Sequence, residues 1–123
     1  MASTEVKTYA KFGLLNVHSI KNKADHFKDF VTENEFDIMA LTETWLKPDD
    51  DYTLSDIYPQ GYSIKHVPRI TLTWGGGVAI VHRSSVSIIM KSAEKYTSFE
   101  LIEVVLTSAA KCYRVAVIYR PLN

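Results

Sequence analysis

The stretch from Lys11 to Leu41 limits the fold more than any other part of the chain. "KFGLLNV" (Lys11 to Val17) has the apolar, β-compatible look of a short inner strand. Ser19 follows as a candidate N-cap, because a serine hydroxyl can accept from an orphan backbone N–H at a helix start. In "SIKNKADHFKDFVTENEF", Ile20, Ala24, Phe27 and Val31 recur at helical spacing with Lys, Asp and Glu between them, and Asn34 is a reasonable stop. "FDIMAL" then runs apolar for a strand's length, the pattern of a strand covered on both faces. Strand, amphipathic helix and buried strand in that order predict a βαβ unit and therefore an α/β fold.

Beyond this unit the chain changes character. "KPDDDYTLSDIYPQG" is rich in Pro, Asp and Gly and reads as a surface loop. "YSIKHV" and "GVAIVHR" are predicted strands joined through "PRITLTWGG", and "VSIIM" is another. "FELIEVVLT" and "CYRVAVIY", separated by "SAAK", predict an antiparallel hairpin. No repeat, low-complexity tract or internal linker interrupts the pattern. Residues 1–10 form a polar N-terminal segment and residues 11–123 a single domain. The last strand is followed only by "RPLN", so its edge is expected to be open, available for self-association or for pairing with a partner.

Composition removes several function classes. Lys+Arg and Asp+Glu both number 14, so no global field steers the chain toward nucleic acid or away from it. The single cysteine, Cys112, excludes an internal disulfide framework and a Cys-rich zinc site. Its place within a predicted strand favours a buried structural thiol over a nucleophile. The N-terminus lacks the long apolar run of a signal peptide, and no stretch approaches the roughly 18 apolar residues of a membrane span. The expectation is a soluble intracellular protein, nuclear or cytoplasmic, with no membrane partner.

One acidic residue stands out. Glu43 sits at the lip of an apolar strand, in "MALTETWL", where burying a charge is costly unless something compensates it. Ligands of open α/β sheets bind beyond the carboxyl ends of the strands, and Asn16 ends the first strand as Glu43 ends the second. Were those strands neighbours, a carboxylate able to hold Mg²⁺ and an amide able to bond a phosphate oxygen would share one edge. On spacing alone the blander alternative is stronger: Glu43 caps a loop and Asn16 makes an Asx-type turn.

The ordered set "LLNVHSIKNK", "DIMALTETWL", "GYSI", "GGGVAIVHR" and "VAVIYRP" resembles the N-terminal half of the endonuclease/exonuclease/phosphatase superfamily. The resemblance runs from about Gly13 to the end and is closest to the endonuclease domains of non-LTR (LINE-type, jockey-like) retrotransposons. It implies a partial four-layer α/β sandwich of the DNase I-like type, with a mixed sheet and a βαβ start. It further implies Mg²⁺ (or Mn²⁺)-dependent cleavage of phosphodiesters in DNA. Glu43 matches the family's metal-binding glutamate, Asn16 the asparagine beside metal and phosphate, and Tyr119, in "YRP", a tyrosine whose hydroxyl lies near the phosphate. His18 and Arg120 are further candidates for phosphate contact.

The departures are specific. His18 stands where some relatives carry an acid, and "TLTWGGG" lacks the basic residues often found before the glycines. The family's Asp-x-Asn segment and late Asp-His pair have no counterpart in the sequence, so the expectation is a truncated domain with weak activity or none. The alternative from another class is a non-catalytic interaction module built on the same half-fold. "WGGGV" is not a P-loop, having no Lys-Ser/Thr and a strand after it, so its glycines are expected to permit close packing. Pro48 to Asp51 reads as a solvated acidic loop and His66 and His82 as surface or half-buried histidines. Trp45 and Trp74 read as packing aromatics.

Overall fold

The computed structural model describes residues 10–50, 54–68, 76–92, 99–108 and 111–120. In chain order its elements are β1 (Phe12–Asn16), a single 3-10 turn (Lys21–Lys23), α1 (Ala24–Glu33), β2 (Ile38–Thr42), β3 (Tyr62–Val67) and β4 (Val78–Arg83), then β5 (Ser87–Ser92), β6 (Glu100–Ser108) and β7 (Lys111–Tyr119). One mixed sheet has the strand order β1-β2-β4-β3, and a second, antiparallel sheet has the order β5-β6-β7. β1 and β2 are parallel neighbours connected through α1, which is the predicted βαβ unit. β6 and β7 form the predicted hairpin.

The side chains of β2 and β4 explain the layering. Met39, Leu41, Ala79 and Val81 join Phe27 and Val31 of α1 in one core cluster. Their neighbours Ile38, Val78 and Ile80 point the other way, into a second cluster with Ile102, Val104, Leu106 and Val117 of the second sheet. Helix, mixed sheet and second sheet thus stack with β2 and β4 buried on both faces. That is why both strands read as unbroken apolar runs and not as alternating ones.

Five local expectations are corrected. Ser19 does not cap the helix: it is buried at φ 75, and α1 begins only at Ala24, after the 3-10 turn. The reason is that the segment after β1 is zipped onto β2, with Ser19 N–H donating to Glu43 O at 2.9 Å and Ile20 N–H to Thr44 O at 3.1 Å. β1 is no inner strand but an edge of its sheet among the described residues, leaving Leu14 73% and Phe12 45% exposed. Cys112 is exposed, because β7 is also an edge and its first residues run past the core. Asp50 is buried, held by the Lys21 ammonium at 2.7 Å and by the Lys47 N–H. His82 is buried as well, on a strand covered from both sides. Asn34 does end the helix: its backbone N–H and its side-chain amide both donate to Phe30 O. Trp74 and Asp51 lie outside the described residues. Among the described residues no helix is long and apolar enough to cross a membrane.

Candidate functional site

Parallel pairing of β1 and β2 sets Asn16 opposite Thr42, one residue before Glu43. The pairing does not stop at the strand ends. Val17 N–H donates to Thr42 O at 3.0 Å, and the Ser19 and Ile20 bonds continue the same ladder through Glu43 and Thr44. Asn16 and Glu43 therefore belong to one edge of the molecule, the arrangement expected of them on neighbouring strands. The amide is exposed and the carboxylate half-buried.

The second sheet reaches the same edge. Tyr119 pairs with Glu100 across β6 and β7. A Glu100 carboxylate oxygen accepts from Gly77 N–H at 2.9 Å, and Gly77 O accepts from Thr44 N–H at 3.2 Å. This chain of contacts ties the end of β7 to the end of β2, so the half-buried Tyr119 joins Asn16 and Glu43 at one end of the sandwich. Arg120, exposed, follows directly. Gly77 makes the close approach possible: it sits at φ 91, and a Cβ there would collide with Thr44 Oγ1. The expectation that the glycines allow close packing holds at this residue.

The backbone of this edge is unusual. Among the described non-glycine residues with positive φ, four of five lie here: His18 (48), Ser19 (75), Glu43 (58) and Trp45 (59). Each such residue costs on the order of 1–3 kcal/mol, and strain of this kind collects where a site needs a particular display of side chains. Thr44, between Glu43 and Trp45, is fully buried, and both neighbours face outward together. Trp45 Nε1–H donates to the Glu43 carboxylate at 2.6 Å, and the His18 and Trp45 ring centroids are 4.6 Å apart. The Lys23 ammonium donates to Val17 O at 2.7 Å and His18 O at 2.8 Å, which fixes the turn that carries Asn16 and His18. Beside Asn16 opens a mostly apolar cleft of about 550 Å³, bordered by Leu15, Ile20, Lys23, Phe27 and Phe30.

Sequence reasoning placed Asn16, Glu43, Tyr119, His18 and Arg120 at strand ends or beside them. It missed the carboxylate-holding part of Trp45, which it took as packing, and the tying part of Glu100. The signal for Trp45 was its position only two residues from Glu43, within reach of the carboxylate for a long side chain that carries a donor. Glu100 gave no such signal, because its partner is far away in the chain.

Residues 13–119 match the Endonuclease/Exonuclease/phosphatase family. The chain belongs to that family. Among solved structures, the AP endonuclease LMAP from Leishmania major superposes on it with a TM-score of 0.64 at 15% sequence identity. The likeness covers 93% of this chain and 40% of that one, so the chain spans less than half the length of its structural neighbour. No match was found among curated proteins. At that identity the superposition speaks to the fold: the two sheets and the helix are part of the DNase I-like α/β sandwich that the motifs implied.

Mg²⁺ is typically held through one or two carboxylates, with water and substrate oxygens completing its shell. Among the described residues no three His, Cys, Asp or Glu side chains gather at one point, so a closed protein cage is not built here. A half-buried carboxylate at a strand end, with an amide on the neighbouring strand end, fits the open kind of site.

Proposed function

We propose that this chain carries part of the active site of a divalent-metal-dependent phosphodiesterase acting on DNA, of the kind found in retroelement endonucleases. The observation that carries the reading is the β1–β2 register, which brings Asn16 and Glu43 to one edge. Glu43 would hold Mg²⁺ (or Mn²⁺), and when bound the ion would polarise the scissile phosphate. The Asn16 amide is suited to donate to a phosphate oxygen without carrying charge, and the Tyr119 hydroxyl can donate from the opposite sheet. His18 and Arg120 add donors at the flanks. Donors fixed in advance toward developing phosphoryl charge are commonly the largest single contribution to such a reaction. Activation of the attacking water is assigned to none of these residues, so the reading for the isolated chain is metal and phosphodiester binding with weak turnover. The retroelement assignment rests on the combination of "LTETWL", "GGGVAI" and "YRP".

A plasmid-nicking assay with Mg²⁺, run on the chain and on Glu43→Ala, tests this. Nicking that disappears in the variant supports an endonuclease. Mn²⁺ binding without nicking, lost in the same variant, supports the binding half alone. Nicking or Mn²⁺ binding equal in both proteins would overturn the assignment of Glu43.

A second reading has its own observation. Among the described residues β1 and β7 are both sheet edges, and Leu14, Phe12 and the 61%-exposed Ile118 lie on them. Exposed apolar strands at an edge invite another strand, which fits a non-catalytic interaction module. A folded chain that neither nicks DNA nor binds Mn²⁺, yet self-associates in light scattering, would favour it.

A further inference from the structure

Glu43 is held by its own neighbour, and the form of that contact carries an inference that rests on the proposed reading of Glu43 as an ion ligand. An indole N–H is a donor only, and it carries no charge. Bonded to a carboxylate, it fixes the group's orientation without supplying a cation that would compete with a metal ion. The Trp45 Nε1–H to Glu43 Oε2 distance is 2.6 Å. Both residues are in the left-handed region, at φ 59 and φ 58, and Thr44 is buried between them. A regular strand would place the two side chains about two residues apart along its surface, whereas this backbone folds the indole back onto the carboxylate. The same ring packs against His18, which stands two residues beyond Asn16 on the neighbouring loop.

We propose that Trp45 is the positioning residue of the ion site, its indole N–H aiming the Glu43 carboxylate while its ring locks the β1–α1 turn at the same edge. Metal-ligating carboxylates are commonly oriented by an outer hydrogen bond, and losing such a partner costs about 10–100-fold in metal affinity or activity. The local fold at this point gives Trp45 that place by contact, across two loops that the strand register has already brought together. Phenylalanine at the position would keep the ring against His18 and remove only the donor, which separates orientation from packing.

The test uses the full chain, with Mn²⁺ affinity from calorimetry and the Trp45 indole N–H signal from NMR during a Mg²⁺ titration. Trp45→Phe is expected to weaken Mn²⁺ binding about 10–100-fold with an unchanged urea midpoint. The indole signal of the unsubstituted chain is expected to move as Mg²⁺ is added and to stay fixed in Glu43→Ala. If Glu43→Ala abolishes Mn²⁺ binding but Trp45→Phe binds as the unsubstituted chain does, the positioning part is overturned and the ion site stands. If Glu43→Ala binds Mn²⁺ normally, or the unsubstituted chain binds none, the ion-site reading falls and the proposal with it. Should Trp45→Phe fail to fold, the NMR arm decides, since an indole signal indifferent to saturating Mg²⁺ overturns the proposal in the unsubstituted chain.

Discussion

The carboxylates at the two ends of β2 are built differently. Asp37, just before the strand, is buried and joined to groups from distant parts of the chain: Arg83 Nε at 2.9 Å and the Lys11 N–H at 2.6 Å. Its own backbone is used too, accepting from Arg83 N–H at 2.9 Å and donating to Lys11 O at 2.9 Å. Glu43, just after the strand, is half-buried on a left-handed backbone and takes a neutral hydrogen bond from two residues away. One end of the strand spends its acid on closing the fold. The other holds its acid at the surface in a costly conformation, the pattern expected where display of the group matters more than stability.

The largest effect should come from the packing that supports the displayed end. Gly77→Val puts a β-branched side chain at φ 91 and drives its Cβ into Thr44. Left-handed strain and overpacking together should cost roughly 3–5 kcal/mol, read as a lower urea midpoint. A midpoint within experimental error of the unsubstituted chain would mean that Gly77 does not hold β4 against the Glu43 segment. Next in size is Asp37→Ala, which strips Arg83 of its partner and leaves the Lys11 N–H in a part-buried place. A loss of about 2–4 kcal/mol is expected, and pairing it with Arg83→Met should recover part of it, because an orphaned charge is worse than none.

Glu43→Ala sharpens the contrast. Removing the displayed acid should change unfolding free energy by less than about 1 kcal/mol while abolishing Mn²⁺ binding. Equal destabilisation by Asp37→Ala and Glu43→Ala in the same urea series would erase the distinction between the two ends.

The Glu43 end of this contrast was legible before the fold was known and the Asp37 end was not, and the illegible part has a physical pattern. The βαβ unit, the doubly buried strands and the hairpin follow from apolar periodicity, a local property of the chain. Asn16 and Glu43 were found as polar residues ending apolar strands, and strand adjacency alone was needed to bring them together. What failed depended on partners far along the chain. Ser19 looked like a cap because nothing local shows that its N–H is taken by Glu43 O. β1 looked interior because its composition is apolar, although among the described residues pairing leaves it at an edge with Leu14 exposed. Cys112 looked buried for the same reason. Asp50 looked solvated because its lysine lies on the turn before the helix.

The smallest expected effect is a pH dependence that belongs to the closed end. His82 is buried on β4 opposite Ile38, next to Arg83 and one residue from the Asp37 ion pair. Burial holds its pKa below the usual 6.5, and the nearby Lys65 ammonium pushes the same way, against hydrogen bonds from its ring to the backbone at Arg83 and Val86. The unfolded chain therefore takes up this proton first as pH falls. The stability that the neutral imidazole contributes is complete above the unfolded-state value and is lost progressively as pH drops below about 6.5 toward the depressed folded value. Urea midpoints measured between pH 7.5 and 5.5 should decline in the unsubstituted chain and decline less in His82→Gln. A decline just as steep in His82→Gln would move the sensitivity to some other group and remove histidine burial from the account of how that end is closed.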